Sequence, residues 1–236
     1  MRDLNTDQFI DDLDRSINIG LAFSGGGYRA MLAAAGEISG LDNRTNGTME
    51  YGLPILPAVS YISGLSGGSW FLCTLAYNNW TSVQEIIDTR DDHNPIWNLK
   101  YSIADPNSTI RILKLWWKLR KELHSKKSAG FKTSFTDSWG RALSRHMLPK
   151  SSNYGLSTLF SDIREYPVFK NHEMPFPLVV AVGRAPGTVI DSSTSTVFEF
   201  NPFELGSWDP SLRSFVDLKY IGTDLVGGFP KNVYLI

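Results

Sequence analysis

Two stretches of this 236-residue chain constrain its fold more than any others, because each is an apolar run that meets a cluster of glycines and continues as a helix-forming segment. The first passes from Ile17-Asn18-Ile19-Gly20-Leu21-Ala22-Phe23 through Ser24-Gly25-Gly26-Gly27 into Tyr28-Arg29-Ala30-Met31-Leu32-Ala33-Ala34-Ala35. The apolar run suits a buried strand and the alanine-rich run a helix, which Gly36 is expected to stop. The second passes from Ala58-Val59-Ser60-Tyr61-Ile62-Ser63 through Gly64-Leu65-Ser66-Gly67-Gly68 into a helix expected over 69–77. Two such units in succession call for parallel strands joined by right-handed crossovers. The expected architecture is an α/β fold with a mixed, largely parallel central sheet flanked by helices. Residues 40–56, with their Asn, Gly and Pro, read as a loop, and 80–150 as a mainly helical insertion. Strand character returns over 178–182 and 196–200.

Gly64-Leu65-Ser66-Gly67-Gly68 satisfies G-x-S-x-G, the bend that lifts a serine hydroxyl clear of a sheet. Glycines belong there because side chains would collide in the tight strand-to-helix turn. A serine at a helix N-terminus also sits at the positive end of the helix dipole, where negative charge is stabilised. Gly25-Gly26-Gly27 lets backbone approach a substrate closely, and consecutive N–H groups there can converge on one oxygen. A tight turn or a phosphate loop is the competing reading, although no Gly-Lys-Ser/Thr follows and the spacing does not fit a dinucleotide fingerprint. Arg29 falls in the first turn of its helix, where the dipole disfavours a cation. It calls for an anion, either a substrate phosphate or a neighbouring carboxylate.

A formal net charge of −1 argues against a nucleic-acid partner, since neutralising phosphates needs a basic surplus. The single cysteine, Cys73, lies in an apolar run and reads as a buried structural thiol. His93, His124, His146 and His172 show neither metal-ligand spacing nor the serine, acid, histidine order of a conventional triad, so neither a metal nor a cofactor is expected. Sequons at Asn43, Asn46, Asn79 and Asn107 are glycan acceptors of the secretory pathway. No apolar run approaches the ~20 residues that span a bilayer. Residues 1–16 are polar and do not resemble a signal peptide, so a secreted form is expected to have a leader outside this chain. Between Ile110 and Lys127, Ile112, Leu115, Trp116, Leu119 and Leu123 recur at helical spacing among Arg111, Lys114, Lys118, Arg120 and Lys121. That helix suits either core packing with a solvated basic side or contact with an anionic lipid or micelle surface.

Longer blocks carry a resemblance. Ser24-Gly25-Gly26-Gly27-Tyr28-Arg29-Ala30-Met31 with Gly64-Leu65-Ser66-Gly67-Gly68-Ser69-Trp70 resembles the paired signature of fungal phospholipase B, and more distantly of the cytosolic group IV and patatin-like acyl hydrolases. The likeness continues through Asn78-Asn79-Trp80-Thr81-Ser82-Val83, Trp139-Gly140-Arg141-Ala142-Leu143, Glu173-Met174-Pro175-Phe176-Pro177, and 197–209. The resemblance implies a lysophospholipase or phospholipase B acting on phospholipids and lysophospholipids, secreted or at the cell surface. It implies Ser66 as nucleophile, Gly26 and Gly27 as oxyanion donors and Arg29 as the cation facing the phosphate. Members of the family use a serine–aspartate dyad whose aspartate belongs to an Asp-Gly-Gly block, which Asp224-Leu225-Val226-Gly227-Gly228 does not match. Residues 1–236 are therefore expected to be the N-terminal portion of a catalytic domain whose aspartate lies past Ile236. Without a base a serine hydroxyl is a weak nucleophile, general-base assistance being worth about 10²–10⁴-fold. The chain alone is expected to hydrolyse poorly; a non-catalytic fragment that binds lipid or a partner, and a hydrolase using one of the histidines, are the alternatives.

Overall fold

The computed structural model describes residues 8, 11–15, 17–93, 95–100, 109–184, 187–189, 193–221, 225–226 and 229–230. Asn107 and Asp224, both singled out by the sequence, lie outside them. In chain order the main elements are β1 (Ile19–Phe23), α1 (Gly27–Ser39), α2 (Thr48–Tyr51), β2 (Val59–Leu65), α3 (Gly67–Tyr77) and α4 (Val83–Asp88). They continue with α5 (Thr109–Ser128), α6 (Phe135–Met147), α7 (Pro167–Lys170), β3 (Phe176–Val182), β4 (Val197–Phe200), β5 (Glu204–Ser207) and β6 (Ser214–Asp217). A separate pair follows, β7 (Leu225–Val226) with β8 (Phe229–Pro230).

One six-stranded sheet runs in the order β1-β2-β3-β4-β5-β6. Its first three strands are parallel, as the two strand-turn-helix units require, and the rest form an antiparallel meander. β1 and β2 pair with Phe23 opposite Gly64, after a bulge at which Ile19 faces Val59 but Gly20 already faces Tyr61. Ser60 is thus the extra residue, a device that re-sets register and increases local twist.

α3 packs over the parallel strands and α1 packs against α3, and the core holds Phe23, Met31, Ile38, Ile62, Phe71, Leu72 and Leu75. Each such side chain contributes about 1.5–3 kcal/mol by leaving water. This explains a departure from expectation, because Gly36 does not stop α1, which runs to Ser39. A mid-helix glycine costs about 0.5–1 kcal/mol. Burying Ile38 beyond it, at 1% exposure, contributes more.

The insertion is helical and tied to the core by buried polar contacts. Thr74 Oγ1 donates to Met147 O at 3.0 Å and accepts from Trp97 Nε1 at 2.9 Å. Glu122 of α5 bonds both Arg141 (3.0 Å) and Arg145 (2.9 Å) of α6. Leu119 is buried and Ile112, Leu115 and Leu123 are half-buried, so the apolar stripe of α5 packs inward. Trp116 does not follow it: four residues from the stripe's neighbours in sequence but turned to its flank, it is 52% exposed.

Candidate functional site

The C-terminal ends of β1 and β2 lie side by side, and both glycine segments emerge there. β2 continues through Gly64 and Leu65, and α3 starts at Gly67, so Ser66 alone makes the bend. Its backbone is held at φ 51° and ψ −114°, a sparsely populated region for a residue with a Cβ. The glycines around it are dictated by backbone approach. A Cβ on Gly64 would stand 2.6 Å from the carbonyl carbon of Gly68, one on Gly67 would fall against Gly27 O, and one on Gly68 against Phe23 O. The elbow of the second unit is therefore packed, backbone on backbone, against the loop of the first. Ser69 Oγ donates to Gly64 O at 2.6 Å and braces the bend from within.

That packing puts the glycine loop beside the serine: a Cβ on Gly25 would lie 3.0 Å from Ser66 Cβ and 3.7 Å from Ser66 Oγ. Gly26 (φ 140°) and Gly27 (φ 65°) adopt conformations that side-chain-bearing residues rarely reach. They form the N-terminus of α1, which among the described residues has no side-chain cap and no acid in its first turn; the same holds for α3 at Ser66. Two helix N-termini with unsatisfied donors thus meet at one hydroxyl, an arrangement that stabilises negative charge. Ser66 is exposed, its carbonyl accepts from Trp70 N at 3.0 Å, and among the described residues no side chain hydrogen-bonds its Oγ.

A family model described as the lysophospholipase catalytic domain matches residues 19–234. The chain belongs to that family. It is 48% identical over 228 residues to a lysophospholipase of Kluyveromyces lactis, covering 95% of this chain and 36% of that protein. It is 49% identical over 218 residues to lysophospholipase 1 of Saccharomyces cerevisiae, covering 91% of this chain and 33% of that one. The chain thus spans about a third of the length of the curated relatives it matches. Among solved structures it resembles human group IVD cytosolic phospholipase A2, with TM-score 0.65 and 22% identity, over 96% of this chain and 28% of that one; the likeness is one of fold.

The remaining candidates fall at different distances from the elbow of this lysophospholipase domain. Arg29 is exposed in the first turn of α1 and has no ion-pair partner among the described residues. His93 and His124 are exposed, on a loop and on α5. His172 (φ 57°) helps to line a cavity of about 480 Å³ with Asp42, Trp80 and Met174 at the opposite end of the parallel strands. His146 comes nearest, its ring 6.5 Å from that of Tyr28, and burial holds its imidazole below the ordinary value. Among the described residues no histidine bonds Ser66, and no group of His, Cys, Asp and Glu could hold a metal ion. Cys73 is half-buried on α3, and burial pushes its thiol up to about 12. A second cavity, about 290 Å³ between Val180, Val197, Glu199 and Trp208, is not lined by Ser66 either.

Asn43, Asn46 and Asn79 are exposed, and Asn43 and Asn79 line the 480 Å³ cavity, far from the serine. Asn107 is outside the described residues. What the sequence did not signal is an aromatic environment for the elbow. Tyr28, next to Gly27, packs edge-on against Trp70, four residues after Ser66, with ring centroids 5.5 Å apart. The i, i+4 spacing of Ser66 and Trp70 was the available clue, since such residues share a helix face.

Proposed function

We propose that this chain carries the nucleophile and oxyanion donors of a lysophospholipase of the phospholipase B type. The observation that supports it most is the free Ser66 hydroxyl at a strained bend, facing the uncapped N-termini of α1 and α3. In this reading Ser66 Oγ loses its proton to a base and bonds the ester carbonyl carbon. The N–H groups of Gly26 and Gly27 hold the resulting oxyanion, each such donor being worth about 2.7–4 kcal/mol. The glycerophospho-alcohol departs with a proton as the carbonyl re-forms, leaving an acyl-serine that water hydrolyses to the free fatty acid. Arg29 faces the phosphate of the substrate. The base is the aspartate that the family resemblance implies, supplied from outside the described residues. The protein acts outside the cell or at its surface, with glycans on Asn43, Asn46 and Asn79 away from the serine.

The test is covalent labelling with a fluorophosphonate, which reports an activated serine, alongside hydrolysis of lysophosphatidylcholine, both on this chain extended to carry the aspartate. Labelling mapped to Ser66 and abolished by Ser66→Ala supports the reading, and labelling that survives that change refutes it. The lack of any described base at Ser66 favours one other reading, a domain that binds lipid without turnover. It expects lysophosphatidylcholine binding with no labelling.

A further inference from the structure

Four aromatic rings lie in contact in single file, starting at the elbow and ending in water. Trp70 lies in the first turn of α3, four residues after Ser66 in sequence. Tyr28 packs against it from α1, directly after the glycine loop. On its other side Trp70 meets Trp139 of α6 at 6.4 Å, and Trp139 stacks on Phe135 at 6.5 Å with their planes 22° apart. Phe135 is 77% exposed and Trp139 40%. Single exposed apolar residues are ordinary on a protein surface. A file of rings that begins in the first turns of α1 and α3, directly behind the glycine loop and the elbow, is not a scattered feature.

The first turn of α6 is held so as to present these rings. Asp137 accepts from Ser134 N at 2.7 Å and pairs with Lys126 Nζ of α5 at 2.6 Å. At its inner end the file meets His146, whose ring is 6.5 Å from that of Tyr28. Arg29, the next residue of α1, points to a different side because successive helical residues turn by about 100°. One side of the elbow is therefore apolar and another cationic and unpaired.

We propose that Phe135, Trp139, Trp70 and Tyr28 form the track along which the acyl chain of a single-chain phospholipid lies, its ester at Ser66 and its phosphate toward Arg29. This rests on the reading of Ser66 given above. Phe135 and Trp139 are then specificity-determining residues: they select for chain length, contributing only when the chain is long enough to reach α6.

The experiment uses the 236-residue chain carrying Ser66→Ala, titrated with monomeric lysophosphatidylcholines of increasing acyl length whose tails bear bromine. Binding is read as quenching of tryptophan fluorescence. In the parent, affinity is expected to rise severalfold with each pair of methylenes, up to about fifteenfold for full burial. In Phe135→Ala/Trp139→Ala the rise is expected to flatten for the longer chains while the shortest bind as before. Trp139→Phe keeps an apolar ring and removes a reporter, so quenching amplitude falls with affinity retained. Trp117→Ala, exposed on α5, is expected to change neither length dependence nor affinity. A full length dependence in the double variant overturns the track and leaves the Ser66 reading standing, while absence of binding by any lysophosphatidylcholine overturns both.

Discussion

Replacing Gly67 by alanine tests how the two glycine segments depend on each other. The new Cβ would fall against Gly27 O and stand 2.9 Å from both Gly27 C and Gly27 N. These are backbone atoms and cannot rotate away. Carbon atoms settle at about 3.5–4.0 Å, so the loop or the elbow must retreat by roughly 1 Å. Overpacking of this kind costs about 1–3 kcal/mol. At about 2–4 °C per kcal/mol for a chain of this size, Tm falls by about 2–12 °C. Gly36→Ala is the matched control, with open space around its Cβ and an ordinary helical backbone. It is expected to stabilise by about 0.5–1 kcal/mol. Serine labelling should fall further in Gly67→Ala than the stability loss explains, since a 1 Å misplacement of catalytic groups can cost about 10²-fold. Thermal denaturation, and fluorophosphonate labelling rates in the chain extended to carry the aspartate, run on both variants, decide it. A Tm for Gly67→Ala at or above the parent's would refute the contact argument, and a lowered Tm with unaltered labelling would refute the claim that the loop serves the serine.

Two further outcomes are expected. Ser66→Gly removes the Cβ from a backbone at φ 51°, ψ −114° and relieves strain of about 1–3 kcal/mol, so its denaturant midpoint should rise even as labelling vanishes; an unchanged or lower midpoint would mean that the bend is unstrained. Burial works against ionisation of Glu122, but hydrogen bonds and charge from Arg141 and Arg145 outweigh it and hold the carboxyl below its usual range. With the folded value below the unfolded one of about 4.3, the pair's contribution is complete above that pH and is lost as pH falls through the lowered value. Glu122→Ala, whose parent side chain is only 9% exposed, should lose about 3 kcal/mol at neutral pH and show a shallower decline in acid, measured by urea unfolding from pH 7 to 3.

The parallel half of the sheet and the serine elbow were legible because they depend on local sequence. An apolar run, a cluster of glycines and a helix-forming segment each declare themselves within a dozen residues. Gly36 misled because its local cost is outweighed by Ile38, whose burial depends on α3 and the sheet. β5 and β6 gave little signal: each is a short strand, β5 contains Gly206, and both exist through pairing in the meander rather than through a run of β-formers. On α5, Leu119 is buried while Trp116 is exposed, since periodicity gives a face and not its edges. The ring file was invisible because Trp70 and Trp139 lie far apart in sequence and meet only when the insertion folds back. The glycines of the elbow were legible as a pattern, but that Gly67 is required by Gly27 is knowledge only of the folded chain.

The bulge at Ser60 has a wider consequence. Loop and serine are the residues that leave β1 and β2 just past the Phe23–Gly64 pair, so their relative height is counted off along a hydrogen-bonded ladder. A slip by one residue would move one against the other by about 3.3 Å and turn every side chain of the strand to the opposite face. Ladders have integer positions and nothing between them. The site is therefore digital: a chain in the right register has its donors beside its hydroxyl, and a chain in the next has none, with no graded series of half-assembled sites along the way.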